Sequence, residues 1–264
     1  MNQMGDLAMT TTPAPELRRI RDVVIINDLV IATDSIGGIG PKPADTIYAD
    51  AATVAHFAVR VPLLEVICAG ATPILVINDL CVEFEPTGRQ MIAEIHRLAA
   101  GVGLPPGAVT GSTEENVRTE ATGIGVTVLG RLDNTATTKP GGAHDGDLVL
   151  CAGLPVSAPR DDIHIGHPDQ VTVAAVAALV ASGIVHDALP VGSKGLNWEV
   201  PQLAASANLG VDWLPSTVSR TDSGGPSSCV LFSVDSASAE LVRTLCAPAP
   251  VHAVARLQRR GLPH

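Results

Sequence analysis

The chain has 264 residues and a mass of 27.1 kDa, with 46% hydrophobic residues, 17% charged residues and a net charge of −10. That length buries enough surface to fold without disulfides or structural metal, which excludes a chain disordered throughout, and the acidic balance without a long Lys/Arg run excludes nucleic acid as the expected partner. Mean hydropathy is +0.29, but residues 61–82 are interrupted by Glu65, Pro73 and Asp79 and the uncharged run 171–185 is too short to span a bilayer, so a soluble protein with no membrane partner is expected.

Residues 1–19, rich in Thr and Pro and without a basic-then-apolar signal pattern, read as a flexible arm. Two β-rich runs, 23–26 and 29–33, flank the turn dipeptide Asn27-Asp28 and predict a hairpin, followed by a Gly/Pro-rich loop over 35–43. Helical spacing covers 50–70, with Pro62 predicting a kink or two pieces. A strand at 73–81, an amphipathic helix at 87–100, a polar loop around 110–116 and a strand at 122–132 follow.

The polar stretch 137–147 has the composition of a domain boundary, giving a first domain over 20–138 and a second over 139–264. The second reads as a strand at 148–151, a helix at 168–182 and a short strand ending near Asp187. A helix at 196–207, a strand at 229–234, a helix at 237–246 and a strand at 251–257 complete it. With six aromatics, Val, Leu, Ile and Ala must fill the core, which favours alternating layers of strand and helix and an α+β or α/β chain. The five cysteines are odd in number and sit among apolar residues, as buried core thiols do in a reducing compartment, so a cytoplasmic location is expected.

The most informative segment is LVIATDSIGGIGPK (29–42), where an apolar strand delivers Asp34 and then Gly37, Gly38 and Gly40. Glycines let backbone amides approach an anion, Lys42 offsets phosphate charge, and Asp34 or Asp45 offers hard oxygen ligands to Mg²⁺. A glycine turn with a solvated lysine explains the spacing equally well, and neither a Walker A motif nor GxGxxG is present. The TGSTEEN segment (110–116) offers hydroxyls and carboxylates, or simply a capped turn. Asp79, inside the apolar run ILVINDLCV, must face solvent, pair or bind metal, because burying it unpaired costs several kcal/mol, roughly. His164 and His167 lack a companion ligand set of zinc-like spacing, and VGSKG (191–195) ahead of a helix is either an anion-accepting turn or a cap.

The order of these pieces, LVIATDSIGGIGPKPAD (29–45), PLLEVICAGATPILVIND (62–79), TGSTEENV (110–117), GIGVTVLGRL (123–132) and HDGDLVLCAGLPVSAP (144–159), resembles the aminoimidazole ribonucleotide synthetase (PurM-like) superfamily. That superfamily also includes thiamine-monophosphate kinase, selenophosphate synthetase and a hydrogenase maturation factor. The resemblance spans nearly the whole chain from residue 20. It implies a two-domain α+β fold: an N-terminal mixed sheet with helices that forms a barrel across a homodimer, a C-terminal α/β sandwich, and Mg²⁺ and ATP in the cleft. Gly111-Ser112-Thr113-Glu114 replaces the usual Gly-Gly-Asp, Ser193-Lys194-Gly195 replaces an Asp-Gly turn, and GPSSC (225–229) lacks the usual acidic pair. These departures are most similar to the α-ribazole kinase branch, which phosphorylates the 5'-hydroxyl of a benzimidazole riboside in cobamide salvage.

The expected site follows from both readings. Ser35, Gly37, Gly38, Gly40 and Lys42 would hold the triphosphate, with Thr110, Gly111, Ser112 and Thr113 completing the nucleotide shell. Asp34, Asp45, Asp79 and Glu114 would ligate Mg²⁺, Asp187 would accept the hydroxyl proton, and Lys194 would steady the transferred group. The expected partner is a nucleoside-like alcohol. Another ATP-dependent reaction of the superfamily, or a nucleotide-binding regulator without turnover, is the alternative.

Overall fold

A computed structural model of the chain describes residues 16–132 and 137–260. Its first half is a six-stranded mixed sheet made by β1 (Leu17–Ile20), β2 (Val23–Ile26), β3 (Leu29–Gly37), β6 (Ala71–Leu80), β7 (Val109–Thr113) and β8 (Gly123–Leu132), in the order β1-β2-β3-β8-β6-β7. Within this sheet only β6 and β7 run parallel. A two-residue ladder, β4 (Ile39–Gly40) with β5 (Ile47–Tyr48), organises the glycine loop. The loop expected at 35–43 is therefore partly strand, because β3 stays paired with β8 as far as Gly37 opposite Gly123. Likewise 110–113, expected as loop, is strand β7. Residues 1–15 of the expected arm lie outside the described residues, and 17–19 belong to β1.

The second half is a five-stranded antiparallel sheet in the order β10-β12-β9-β13-β11, formed by β9 (Leu148–Ala152), β10 (Val185–Pro190), β11 (Leu209–Trp213), β12 (Val230–Val234) and β13 (Val251–Arg259). Its central strands LVLCA and VLFSV are buried at every position, which explains their continuous apolar sequence: helices cover both faces. In the first sheet burial alternates along β8, so one face meets the core and the other does not.

Between the sheets lies α1 (Ala51–Cys68), capped by Asp50, whose carboxylate accepts the Thr53 amide at 2.9 Å. It is the one helix among the described residues long and apolar enough to cross a membrane, and it is buried as the central layer. It runs unbroken through Pro62, where a kink was expected. Leu63, Leu64, Val66 and Ile67 pack in one core with Val30, Val76 and Val126 of the first sheet and Leu150, Val230 and Phe232 of the second, so tertiary packing outweighs the missing amide donor.

Beside α1 lie α2 (Arg89–Gly101), α3 (Val173–Ala181) and α5 (Ala239–Cys246). Helix α3 starts five residues later than the expected 168, where Thr172 Oγ1 accepts the Ala175 amide at 3.1 Å. The outer face of the second sheet carries α4 (Leu196–Ser206), whose Leu196, Val200 and Leu203 pack with Cys151, Leu189, Leu231 and Leu257. Four of the five cysteines are buried as expected, whereas Cys81, on the outward-facing side of the first sheet's end, is exposed.

Two buried arginines tie the halves together. Arg21, in the β1–β2 turn with φ of 53°, forms a bidentate pair with Asp187. Arg60 of α1 donates to the carbonyls of Val171, Pro226 and Ser227.

Candidate active site

On β3 the residues facing α1 are Val30 and Ala32, both buried, and then Asp34 and Ile36, half-buried as the strand leaves the core. Asp34 is thus the first carboxylate at the inner seam, and desolvation, opposed by the Ser35 amide, raises its pKa. Glu65 of α1 reaches the same region: burial, then the negative charges of Asp22 and Glu199, with Arg21 opposing and Asp34 adding, push it up to about 8. Glu199, in the first turn of α4, rises to about 7 through desolvation and Asp22, offset by the Gly192 amide, Lys194 and Arg21. Asp22, Asp34 and Glu199 thus all act on Glu65 at the junction of the two sheets, where burial and like charges favour the protonated carboxyls of Glu65 and Glu199.

The VGSKG turn belongs to this junction. Gly195 has φ of +68°, and a Cβ there would meet the carbonyls of Asp222 and Arg220 at 2.6 and 2.9 Å, so glycine is required to start α4 with Glu199 turned back toward Gly192. Lys194 lies over the Trp198 ring, 3.8 Å from its centroid.

The other expected residues form a second, separate arrangement around the glycine loop. Lys42 is ion-paired with Glu83, which also accepts from Thr87 Oγ1 at 2.6 Å. Burial raises the Glu83 pKa, but those two bonds outweigh it and bring it to about 2. Asp45 accepts from Lys42 N at 2.8 Å and from Thr122 N and Oγ1 at 2.7 Å each, so its oxygens pin the loop to β8. The amide of Gly38, a residue with φ of +70°, donates to Thr122 O at 2.9 Å, and a Cβ on Gly40 would strike Thr122 and Asp45, so Gly38 serves the turn and Gly40 the close packing of the loop. Gly37 has open space around it, and Ser35 is exposed.

On β7, Gly111 is demanded by the neighbouring strand, since a Cβ would fall 1.9 Å from Asn78 O. Thr110 O accepts from Asn78 Nδ2, and Thr113 Oγ1 donates to Glu115 at 2.9 Å. Glu114 accepts the amides of Asn116 and Val117, as a turn cap. Asp79 lies opposite Ser112 on the parallel ladder, exposed on the face away from α1.

The structure thus does not bring Asp34, Asp45 and Asp79 together: Asp34 faces inward, Asp79 outward, and Asp45 is committed to Thr122. Nor is Asp187 a free base, being wholly buried against Arg21 and the Gly141 amide. Burial raises its pKa against the lowering effect of Arg21. His164 and His167 bond locally, to Ile165 O and the Asp169 amide. Sequence reasoning missed Asp22, Glu65 and Glu199. The available signal was Glu65, a single carboxylate in the otherwise apolar run 61–68 that ends a core helix.

Beyond Asp34, a cleft of about 390 Å³ lies between the glycine loop and the second half, with Ile36, Tyr48, Phe57, Pro159 and Pro226 in its walls. The two packed sheets with the central helix between them have the PurM-like fold, shared with the solved structures that follow. Among solved structures it is similar to the hydrogenase maturation protein HypE in complex with ATP, with 14% identity, 98% of this chain and 83% of that one covered and a TM-score of 0.64. It is similar also to thiamine monophosphate kinase from Aquifex aeolicus, with 13% identity, coverages of 95% and 90% and a TM-score of 0.63. T. maritima PurL complexed with ATP matches with 17% identity over 94% of this chain and 43% of its own length, at a TM-score of 0.57. No family model and no curated protein matches the sequence.

Proposed function

We propose that the protein is an ATP-dependent phosphotransferase acting on a hydroxyl of a nucleoside-like alcohol, with α-ribazole as the first acceptor to test. The observation that carries this reading is the mutual influence of Asp22, Asp34, Glu65 and Glu199 at the seam, with protons retained on Glu65 and Glu199 up to about 8 and 7. Excess negative charge of that kind is relieved by a divalent cation, and carboxylate oxygens suit Mg²⁺. Asp34 would help to hold the ion, with Asp22 and Glu65 adding negative charge nearby; when bound it would neutralise phosphate charge.

The chain's own groups supply the rest. Lys194, adjoining Glu199, steadies the transferred group, and the apolar cleft beside Ile36 takes a planar ring. Lys42 reaches a phosphate only by leaving Glu83. The acceptor oxygen attacks the γ-phosphorus, the bond to the ADP oxygen breaks, and the hydroxyl proton passes to Glu199, whose pKa near 7 suits a base at neutral pH. Glu199 takes the role that buried Asp187 does not fit.

A regulator that binds nucleotide without turnover is the second reading, favoured by the internal commitments of Lys42 and Asp45. Incubation of the pure protein with Mg²⁺-ATP and a panel of alcohols separates them. ADP release dependent on α-ribazole supports the kinase; release with another acceptor keeps the enzyme and changes its substrate; tight ATP binding without ADP supports the regulator.

A further inference from the structure

Away from the acidic seam, two histidines and two aspartates meet where β9 begins, edge strand β10 passes and β12 ends. Asp147, buried just before β9, accepts from the His144 amide at 2.8 Å, Ser233 Oγ at 2.6 Å and His186 Nδ1 at 2.9 Å. Because a carboxylate accepts only, the neutral form of His186 carries its proton on Nδ1 and leaves the Nε2 lone pair for a ligand. That nitrogen lies 3.8 Å from the Asp235 carboxylate, and the His144 ring centroid is 4.2 Å from that of His186. Ligand atoms of His144, Asp147 and His186 fall within 4.8 Å of one another.

Two features point beyond a surface histidine pair. The ladder between β10 and β12 shifts register between Val185 and Asp187, so His186 is the extra, unpaired residue of a bulge, a device that re-aims a side chain. A buried carboxylate that fixes one imidazole nitrogen and frees the other is the arrangement that orients metal-binding histidines.

We propose that this cluster binds one first-row transition cation of the Zn²⁺ type through the His144 and His186 imidazoles, with Asp147, the third member of the group, orienting His186. Two imidazoles select such an ion over Mg²⁺, and water completes its coordination. The ion ties the turn before β9 to β10. This site is independent of the acidic seam and of the reaction proposed there.

The test uses the full chain freed of metal by a chelator and then titrated with Zn²⁺ against a chromophoric competitor. The expected result is about one ion held per chain, unaffected by excess Mg²⁺, with affinity falling at least ~10-fold in His144→Ala and in His186→Ala. Zn²⁺ raises the melting temperature of the wild type and not of either variant. His164→Ala and Glu65→Gln keep wild-type affinity, which separates the site from the other histidines and from the acidic seam. His144 is exposed, so its variant folds; equal Zn²⁺ affinity in that variant and the wild type, or no ion retained by the wild type, overturns the assignment.

Discussion

Arg21 and Asp187 meet side-on across the junction of the two sheets, Nη1 to Oδ1 at 2.8 Å and Nη2 to Oδ2 at 2.6 Å, with side chains 7% and 0% exposed. Breaking such a pair strands a buried charge, so Asp187→Asn should lower stability by about 3–5 kcal/mol in urea unfolding. Arg21→Met combined with Asp187→Leu should recover most of that loss, because two apolar groups leave nothing unpaired. Unchanged stability in the Asp187 variant would contradict a structural role and return the residue to the reaction.

Glu65 and Glu199 make stability fall with pH. Each carboxyl titrates at 4.5 when unperturbed, and near 8 and 7 in the fold, so the native state binds more protons than the unfolded chain between those values. Stability is therefore fullest below about pH 4.5 as far as these two groups go, declines as pH rises through 7 and 8, and is level above. Thermal melts from pH 5 to 9 should show this slope, and Glu65→Gln should flatten it. At pH 8.5 the variant should melt about 2–4 °C higher, as a relief of roughly 1 kcal/mol gives in a chain of this size. It should also lose ATP turnover by about a hundredfold or more, a trade of function for stability. A variant with the wild type's slope and turnover removes Glu65 from the site.

The glycine loop titrates in the opposite sense. Glu83 is depressed from 4.5 to about 2 by Lys42 and Thr87, so its contribution is present above about pH 4.5 and is lost as pH falls through 2. Lys42→Ala should remove most of that contribution, giving a shallower acid limb below pH 4.5 in chemical-denaturation curves. Equal acid limbs in the two proteins would show that the Lys42–Glu83 pair does not form in solution.

Sequence reasoning singled out Asp34 because the strand that carries it ends in a run of glycines, and Lys194 because a glycine-rich turn precedes a helix. It grouped Asp34 with Asp45 and Asp79 because proximity along the chain hides the pleat, which sends Asp34 to one face of the sheet and Asp79 to the other. Glu65 looked like an interruption of an apolar helix, since its meaning depends on Asp22 of the β1–β2 turn and Glu199 of α4, whose charges reach it only once both sheets pack around α1. In the second half β9, β10, β12 and β13 were legible, but β11 was not; nor was β7, because Gly111 and Ser112 split its two threonines and no large apolar residue follows Val109, and it is held by parallel pairing with β6 and by the space Gly111 leaves for Asn78.

On the face of the first sheet away from α1, Val24 pairs with Ile31, Ile31 with Leu129 and Leu129 with Leu75, giving an apolar row across four strands. All four side chains are half-buried at most, and none belongs to the central core. No other element among the described residues covers this row, so the homodimer expected from the sequence would bury it, and that expectation can be tested here. Ile31→Glu puts a charge at the middle of that row without touching the inner face, where Val30 and Ala32 pack. Sedimentation should then show a species of 27.1 kDa in place of one of twice that mass, with the far-UV spectrum retained. Wild-type protein that already sediments as a single chain would mean that this row does not mediate pairing.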